Sequence, residues 1–345
     1  MWSSIGQNLS RMIIPQASSL DPQKTNPDFP RIVFMGTPDF AVPSLKALVE
    51  SGLKPIAVVT GPDKERGRGR KLSATAVKDA ATSYGITTIL QPEDVKSTSF
   101  AEEIIRLKPD IIVVVAFRIL PQNVFSAAKL GTFNLHGSLL PKYRGAAPIN
   151  RAIMAGDKET GVTTFLLQQK VDTGDVLIKR SMSIGENETA GEVHDRMSVL
   201  GAEVVVETVK MILSGNYSTA AQDDREASPA PKIFREDCQI QWSRSSEDIH
   251  NQIRGLSPYP GAYTSMGGKQ IKILKSTTRS STGSSTGTFV TPGTVTENDS
   301  SLVVACGTDR LELQIVQLEG KKAMPVIDFL RGNSVDVGMH LGDAQ

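Results

Sequence analysis

"DIIVVVAF", residues 110–117, decides the fold class. Every side chain from Ile111 to Val115 is apolar, so an extended reading leaves no polar face to turn towards water. A strand of that kind has to be covered on both sides, as the central strands of parallel sheets are. Its surroundings carry the partners. "RIVFMG" (31–36), "PIAVVT" (55–60) and "ITTIL" (86–90) are further short apolar runs. Between them, "PSLKALVESG" (43–52), "SATAVKDAATSYG" (73–85) and "STSFAEEIIRLKP" (97–109) have helical periodicity, the first closed by Gly52. Strands alternating with helices give βαβ units and a doubly wound, Rossmann-like α/β domain. "TFNLH" (132–136), "TGVTTFLLQ" (160–168) and "DVLIKRSMSI" (175–184) add strands, and an amphipathic run from about Ala190 to Gly215 closes that domain, which is expected over 31–215.

The texture then changes. Residues 216–235, "NYSTAAQDDREASPAPKIFR", are polar and proline-bearing and read as an interdomain linker. From 236 to 345, short alternating runs such as "QIKILK" (270–275) and "LELQIVQL" (311–318), spaced by Gly, Ser and Pro, suit a small antiparallel β-barrel. The tract "STTRSSTGSSTG" (276–287) reads as a flexible loop inside it. At the other end, residues 1–30 have no acidic side chain before Asp21 and place Trp2, Ile5, Leu9 and Met12 at helical spacing. They read as an organellar transit segment, mitochondrial with plastid as the alternative.

Composition limits the chemistry. With 345 residues the chain has room for two cores, and a formal charge of +1 means that any nucleic-acid contact must come from a local patch. Cys238 and Cys306 are the only cysteines and no CxxC or Cys/His cluster exists, which argues against a metal site and a disulfide framework. No run of eighteen apolar residues exists, so no membrane span is expected. The first turn, "GTPDF" (36–40), lacks both GxGxxG and GxxxxGK[ST], so a dinucleotide or ATP site does not follow.

Candidate chemistry gathers at the end of "TFNLH", because open α/β sheets bind ligands beyond the carboxyl ends of their strands. Asn134 and His136, two apart on a strand, share one face. An amide and an imidazole converging there can polarise a carbonyl and handle a proton; the same spacing also suits a hydrogen-bonded pair that merely closes a strand end. Asp172, in "VDTGD" (171–175), sits in a turn ahead of a strand, placed either to orient His136 or simply to form the turn. "SLLP" (138–141) stops the strand, and "KYRGAAP" (142–148) supplies cations and a flexible glycine. In "DKERGRGRK" (63–71), Arg66, Arg68, Arg70 and Lys71 form a basic loop, either phosphate-seeking or only solvated. His194, His250 and His340 have no motif around them and read as surface or capped histidines.

These stretches together resemble the methionyl-tRNA formyltransferase family. The resemblance runs in order through "FMGTPDFAVPSL", "GRGRKL", "FNLHGSLLPKYRGAAPINRAI", "VDTGDVL", "SPAPKIFREDCQIQW", "PYPGAYT" and "GKKAMPVIDFLRG". It implies a Rossmann-like formyltransferase domain carrying Asn134, His136 and Asp172 as catalytic residues, followed by an OB-like barrel that helps to hold tRNA. The implied donor is 10-formyltetrahydrofolate, lodged near Ser138, Leu139, Leu140 and Pro141. The implied acceptor is the amino group of initiator methionyl-tRNA, with Arg66, Arg68, Arg70 and Lys71 approaching its acceptor stem. A monomer without metal or protein partner is expected. Relatives that formylate an amino sugar or hydrolyse the donor share the core, and a tRNA-binding protein without catalysis is a third reading. One departure stands out: where the family reads A-Y-G-x-I-L-P by the folate pocket, this chain has "AFRILP" (116–121), one residue shorter and with Arg118 replacing a glycine.

Overall fold

The structure is a computed structural model that describes residues 30–66, 71–280 and 290–342. Residues 1–29 of the expected transit segment, and Arg68 and Arg70 of the basic loop, lie outside the described residues.

The N-terminal part runs β1 (Ile32–Gly36), α1 (Val42–Glu50), β2 (Ala57–Val59), β3 (Lys64–Arg66), β4 (Lys71–Ser73), α2 (Ala76–Ser83), β5 (Ile89–Leu90), α3 (Thr98–Arg106), β6 (Ile111–Val115), α4 (Gln122–Phe125) and β7 (Gly131–His136). It continues with β8 (Arg144–Gly145), α5 (Pro148–Met154), β9 (Glu159–Leu166), β10 (Val176–Ser183) and α6 (Ala190–Ser214). Seven strands form one sheet in the order β10-β9-β7-β6-β1-β2-β5. The five from β7 to β5 are parallel, and β9 and β10 complete the other edge antiparallel. All five residues of β6 are buried, as the double-sided apolar pattern requires. Alternate side chains serve opposite faces: Ile111, Val113 and Val115 join a core with α1 and α6, and Ile112 and Val114 join one with α3. Helix α6 starts on a capping box between Thr189 and Glu192 and stops at Gly215 in the left-handed region.

The C-terminal part contains β11 (Pro229–Ala230), α7 (Ser246–Leu256), β12 (Ala262–Met266), β13 (Lys269–Arg279), β14 (Val295–Glu297), β15 (Leu302–Ala305), β16 (Arg310–Leu318), β17 (Met324–Pro325) and α8 (Val326–Gly332). Strands β12-β13-β16-β15-β14 form an antiparallel sheet, with β17 pairing β16. Register shifts after Ile273 and Lys275 bend β13 and curl the sheet into a half-barrel around its own core, to which α7 contributes Ile249, Ile253 and Leu256. The tract expected to be a loop from 276 is strand as far as Arg279, because Ser276 to Arg279 continue the ladder with β16. Among the described residues no helix is long and apolar enough to cross a membrane.

The 216–235 stretch is more than a tether. Its strand β11 pairs in parallel with β8, Pro229 opposite Arg144 and Ala230 opposite Gly145. The N- and C-terminal parts also meet directly: Asn150 of α5 donates to the Gly255 carbonyl at 2.7 Å, and Arg151 pairs with Asp237 at 2.9 Å.

Candidate active site

Strand β7 lies where the sheet changes from parallel to antiparallel neighbours, with Asn134 between Val114 and Phe165 and His136 opposite Thr163, at the carboxyl end where open α/β sheets bind ligands. Asn134, half-buried, and His136, 6% exposed, both line a cavity of about 590 Å³. Asp172 lines it too, from the turn before β10, so the structure brings the three candidate catalytic residues together.

The imidazole is fixed from behind. His136 Nε2 lies 2.8 Å from the Tyr143 carbonyl oxygen, which can only accept, so Nε2 carries the proton and donates. Its other nitrogen, Nδ1, stands 3.9 Å from Asp172 Oδ2, an electrostatic contact too long for a direct hydrogen bond. The same Oδ2 accepts from the Gly145 backbone N–H at 3.0 Å. The Asn134 amide has no hydrogen-bond partner among the described residues and is free to meet a ligand. Tyr143 and Asp172 hold φ of 61° and 56°, and Ala116 holds 48°. Two of these, Ala116 and Asp172, line the cavity, and Tyr143 supports it through His136; non-glycine residues in the left-handed region mark backbone held against its preference.

What holds it is largely the 216–235 stretch. Gln222 Nε2 donates to the carbonyls of Asp172 (3.0 Å) and Gly174 (2.8 Å), while its Oε1 accepts from Arg144. The Ser228 hydroxyl accepts from the Tyr143 N–H at 2.9 Å. Arg144 pairs with Asp224 at 2.7 Å and holds that carboxyl below the usual range. Gly145 closes the arrangement. Its φ is 130°, and a Cβ there would stand 2.6 Å from the Ala230 carbonyl oxygen. Nothing in a polar stretch of that composition announces this role.

"SLLP" lies behind the site. Ser138, Leu140 and Pro141 are buried and line neither the 590 Å³ cavity nor its neighbour. Ser138 Oγ donates to the Lys142 carbonyl at 2.6 Å, and Thr163 Oγ1 both donates to the Ser138 carbonyl and accepts from the Leu140 N–H. Leu139 borders a separate hollow of about 300 Å³. The shortened "AFRILP" segment does line the site: Phe117 and Ile119 face the main cavity and a smaller adjoining one of about 100 Å³. Arg118 ties that segment down by donating to the carbonyls of Glu93 (2.8 Å) and Pro92 (2.6 Å). Asn134 and Asp172 border both chambers.

His194 was expected to be a surface or capped residue. It is partly exposed with Nδ1 3.0 Å from Asp195, and it also lines the main cavity, its ring 5.1 Å from that of Phe40. Its only sequence signal is a place in the first turns of α6, which no motif marks. In the basic segment, Arg66 and Lys71 are paired opposite each other in the β3–β4 hairpin. No group of three or more His, Cys, Asp or Glu side chains placed to hold a metal occurs among the described residues.

Comparison with known proteins identifies the family. The Formyl transferase family matches residues 30–209, and Formyl transferase, C-terminal domain, matches residues 232–334. A methionyl-tRNA formyltransferase of Chlorobium luteolum is 49% identical over 306 residues, covering 88% of this chain and 96% of that one. Among solved structures, an N-formyltransferase from Helicobacter canadensis in complex with folinic acid and dTDP-3-aminofucose aligns with a TM-score of 0.63 at 21% identity, covering 83% of this chain and 99% of that one. A methionyl-tRNA formyltransferase from Clostridium thermocellum aligns at 0.51 and 18% identity, over 73% and 94%. The closely similar relatives are bacterial, which overturns the organellar location expected from the N-terminal composition. Fold, family profiles and the near-full-length relatives agree that this chain belongs to the methionyl-tRNA formyltransferase family.

Proposed function

We propose that the protein transfers the formyl group of 10-formyltetrahydrofolate to the α-amino group of initiator methionyl-tRNA, giving N-formylmethionyl-tRNA for translation initiation. The observation that carries this reading is the meeting of Asn134, His136 and Asp172 on one cavity, with a free amide and one uncommitted imidazole nitrogen. A cavity of about 590 Å³ joined by one of about 100 Å³ suits two substrates that meet at Asn134 and Asp172. The folate donor belongs on the side of Phe117–Leu120, and the aminoacyl end on the side of Phe40 and His194. In this arrangement Ser138–Pro141 serve the donor by fixing the backbone behind it. Arg66, Arg68, Arg70 and Lys71, with the C-terminal half-barrel, grip the tRNA.

The chemistry follows from the charges. The donor supplies a formyl carbon and a nitrogen leaving group; the amine forms the new C–N bond as the old one breaks, and negative charge gathers on the formyl oxygen. Asn134 Nδ2 donates to that oxygen, and His136, protonated at Nδ1, passes its proton to the departing nitrogen and then takes up at Nδ1 the proton that the newly acylated amine releases. Asp172 places its carboxylate beside the ring, with Oδ2 3.9 Å from Nδ1. The test is transfer of labelled formyl from 10-formyltetrahydrofolate to methionyl-tRNA. Transfer that requires both substrates supports the reading; formylation of an amino sugar, or donor hydrolysis without tRNA, contradicts it. Arg68→Ala should weaken tRNA binding and flatten its salt dependence, and an effect confined to folate would remove the basic loop from the tRNA site.

A further inference from the structure

Tyr259 is 83% exposed, whereas the other four tyrosines of the chain are half-buried. A ring left this bare gains little from folding, yet its backbone is held firmly. Pro258 and Pro260 restrict the chain on either side. The Ser257 carbonyl accepts from the Gly191 N–H of α6 at 3.0 Å, and the Gly261 N–H donates to the Leu256 carbonyl of α7 at 2.9 Å. Lys272 of β13 donates to the Pro260 carbonyl at 2.8 Å. Three elements thus fix a short turn whose projecting aromatic side chain meets almost nothing in the protein.

The turn lies beside the candidate site. Pro258 packs on Gly191 so closely that a Cβ there would stand 2.7 Å from Pro258 Cδ. Gly191 and His194 are three residues apart on α6, hence on one face and roughly 4.5 Å apart along the axis. His194 lines the cavity, so the Tyr259 turn stands about one helical turn from its lip. In an aminoacyl-tRNA, a single ribose separates the esterified carbonyl from the terminal nucleobase. An aminoacyl group reaching Asn134 past His194 would bring that base out of the cavity near this turn.

We propose that Tyr259 is the stacking platform for the 3′-terminal nucleobase of the aminoacyl-tRNA. This rests on the functional reading above. An aromatic ring on a fixed backbone suits the role because only its two side-chain torsions remain to be ordered on stacking, and it accepts any base with a π-face. The test has two parts. In steady-state formyl transfer, Tyr259→Ala should raise KM for methionyl-tRNA roughly five- to 100-fold, with KM for the folate donor unchanged and kcat within about threefold. Tyr259→Phe and Tyr259→Trp should stay close to the wild type, since the ring and not the hydroxyl does the work. Independently, methionyl-tRNA carrying 2-aminopurine at its 3′ terminus should lose fluorescence on binding the wild type and the Phe variant, but not the Ala variant. An unchanged KM in Tyr259→Ala, equal losses in Ala and Phe, or equal quenching in all three would overturn the proposal. Wild-type protein that transfers no formyl group to methionyl-tRNA would instead sink the functional reading itself.

Discussion

His136 Nε2 donates to the Tyr143 carbonyl at 2.8 Å, and this one bond determines which nitrogen works. With Nε2 committed, Nδ1 alone faces Asp172 and the cavity. The bond depends on a Tyr143 backbone in the left-handed region, itself held by Ser228. Reactivity at the end of β7 therefore depends on residues ninety positions later in the chain.

Gln222→Ala should show this dependence. It removes the donor that holds the Asp172 and Gly174 carbonyls and the acceptor for Arg144. We expect about 1–2 kcal/mol lower stability in urea and a kcat loss of roughly tenfold, with tRNA affinity kept. A variant with wild-type kcat would remove this stretch from the catalytic apparatus.

Gly145→Ala should be worse. Its φ of 130° resists a side chain, and the added Cβ would collide with the Ala230 carbonyl at 2.6 Å, separating β8 from β11 and shifting the N–H that holds Asp172. We expect about 3 kcal/mol or more of destabilisation together with lost turnover. Gly52→Ala, at φ 76° with nothing within 4 Å, serves as the control and should cost only about 1 kcal/mol, with activity intact. Equal effects of the two variants would argue against the close approach at Gly145.

The pH dependence of stability should carry a contribution from His250. Buried on α7, it donates from Nε2 to the Glu186 carbonyl and accepts at Nδ1 from Ser276, each at 3.1 Å, so it joins the two parts in its neutral form. Burial lowers its pKa from the usual 6.5. The unfolded chain therefore takes up this proton at higher pH than the folded one. The stabilisation is complete above about pH 6.5 and is lost as the pH falls below that value. Urea midpoints measured at pH 7.5 and 5.5 should fall less for His250→Gln than for the wild type; parallel falls would show that His250 titrates alike in both states.

Parts of this arrangement were legible from residues alone. The unbroken apolar run of β6 announced a doubly covered strand, and the two-residue spacing of Asn134 and His136 announced a shared face, because both are local consequences of backbone geometry. Asp172 was visible only as a turn residue; the 3.9 Å approach to His136 joins segments 36 residues apart. Gln222 and Ser228 carried no signal, since a single amide or hydroxyl in a polar stretch looks the same whether it points at water or at a strained carbonyl. The place of His194 on the cavity carried no signal either: that cavity is assembled from the segments that follow β1 and β6, from β7, Gly145 of β8, α5, the turn before β10 and α6, and no periodicity reports such a convergence.

The account is tested most directly by Asn134→Ala, read in single-turnover formyl transfer alongside equilibrium binding of methionyl-tRNA. Loss of the donor aimed at the formyl oxygen should slow the chemical step by roughly 10²- to 10³-fold while the dissociation constant stays within about twofold. A chemical step as fast as that of the wild type, or a loss matched by an equal fall in tRNA affinity, would contradict it.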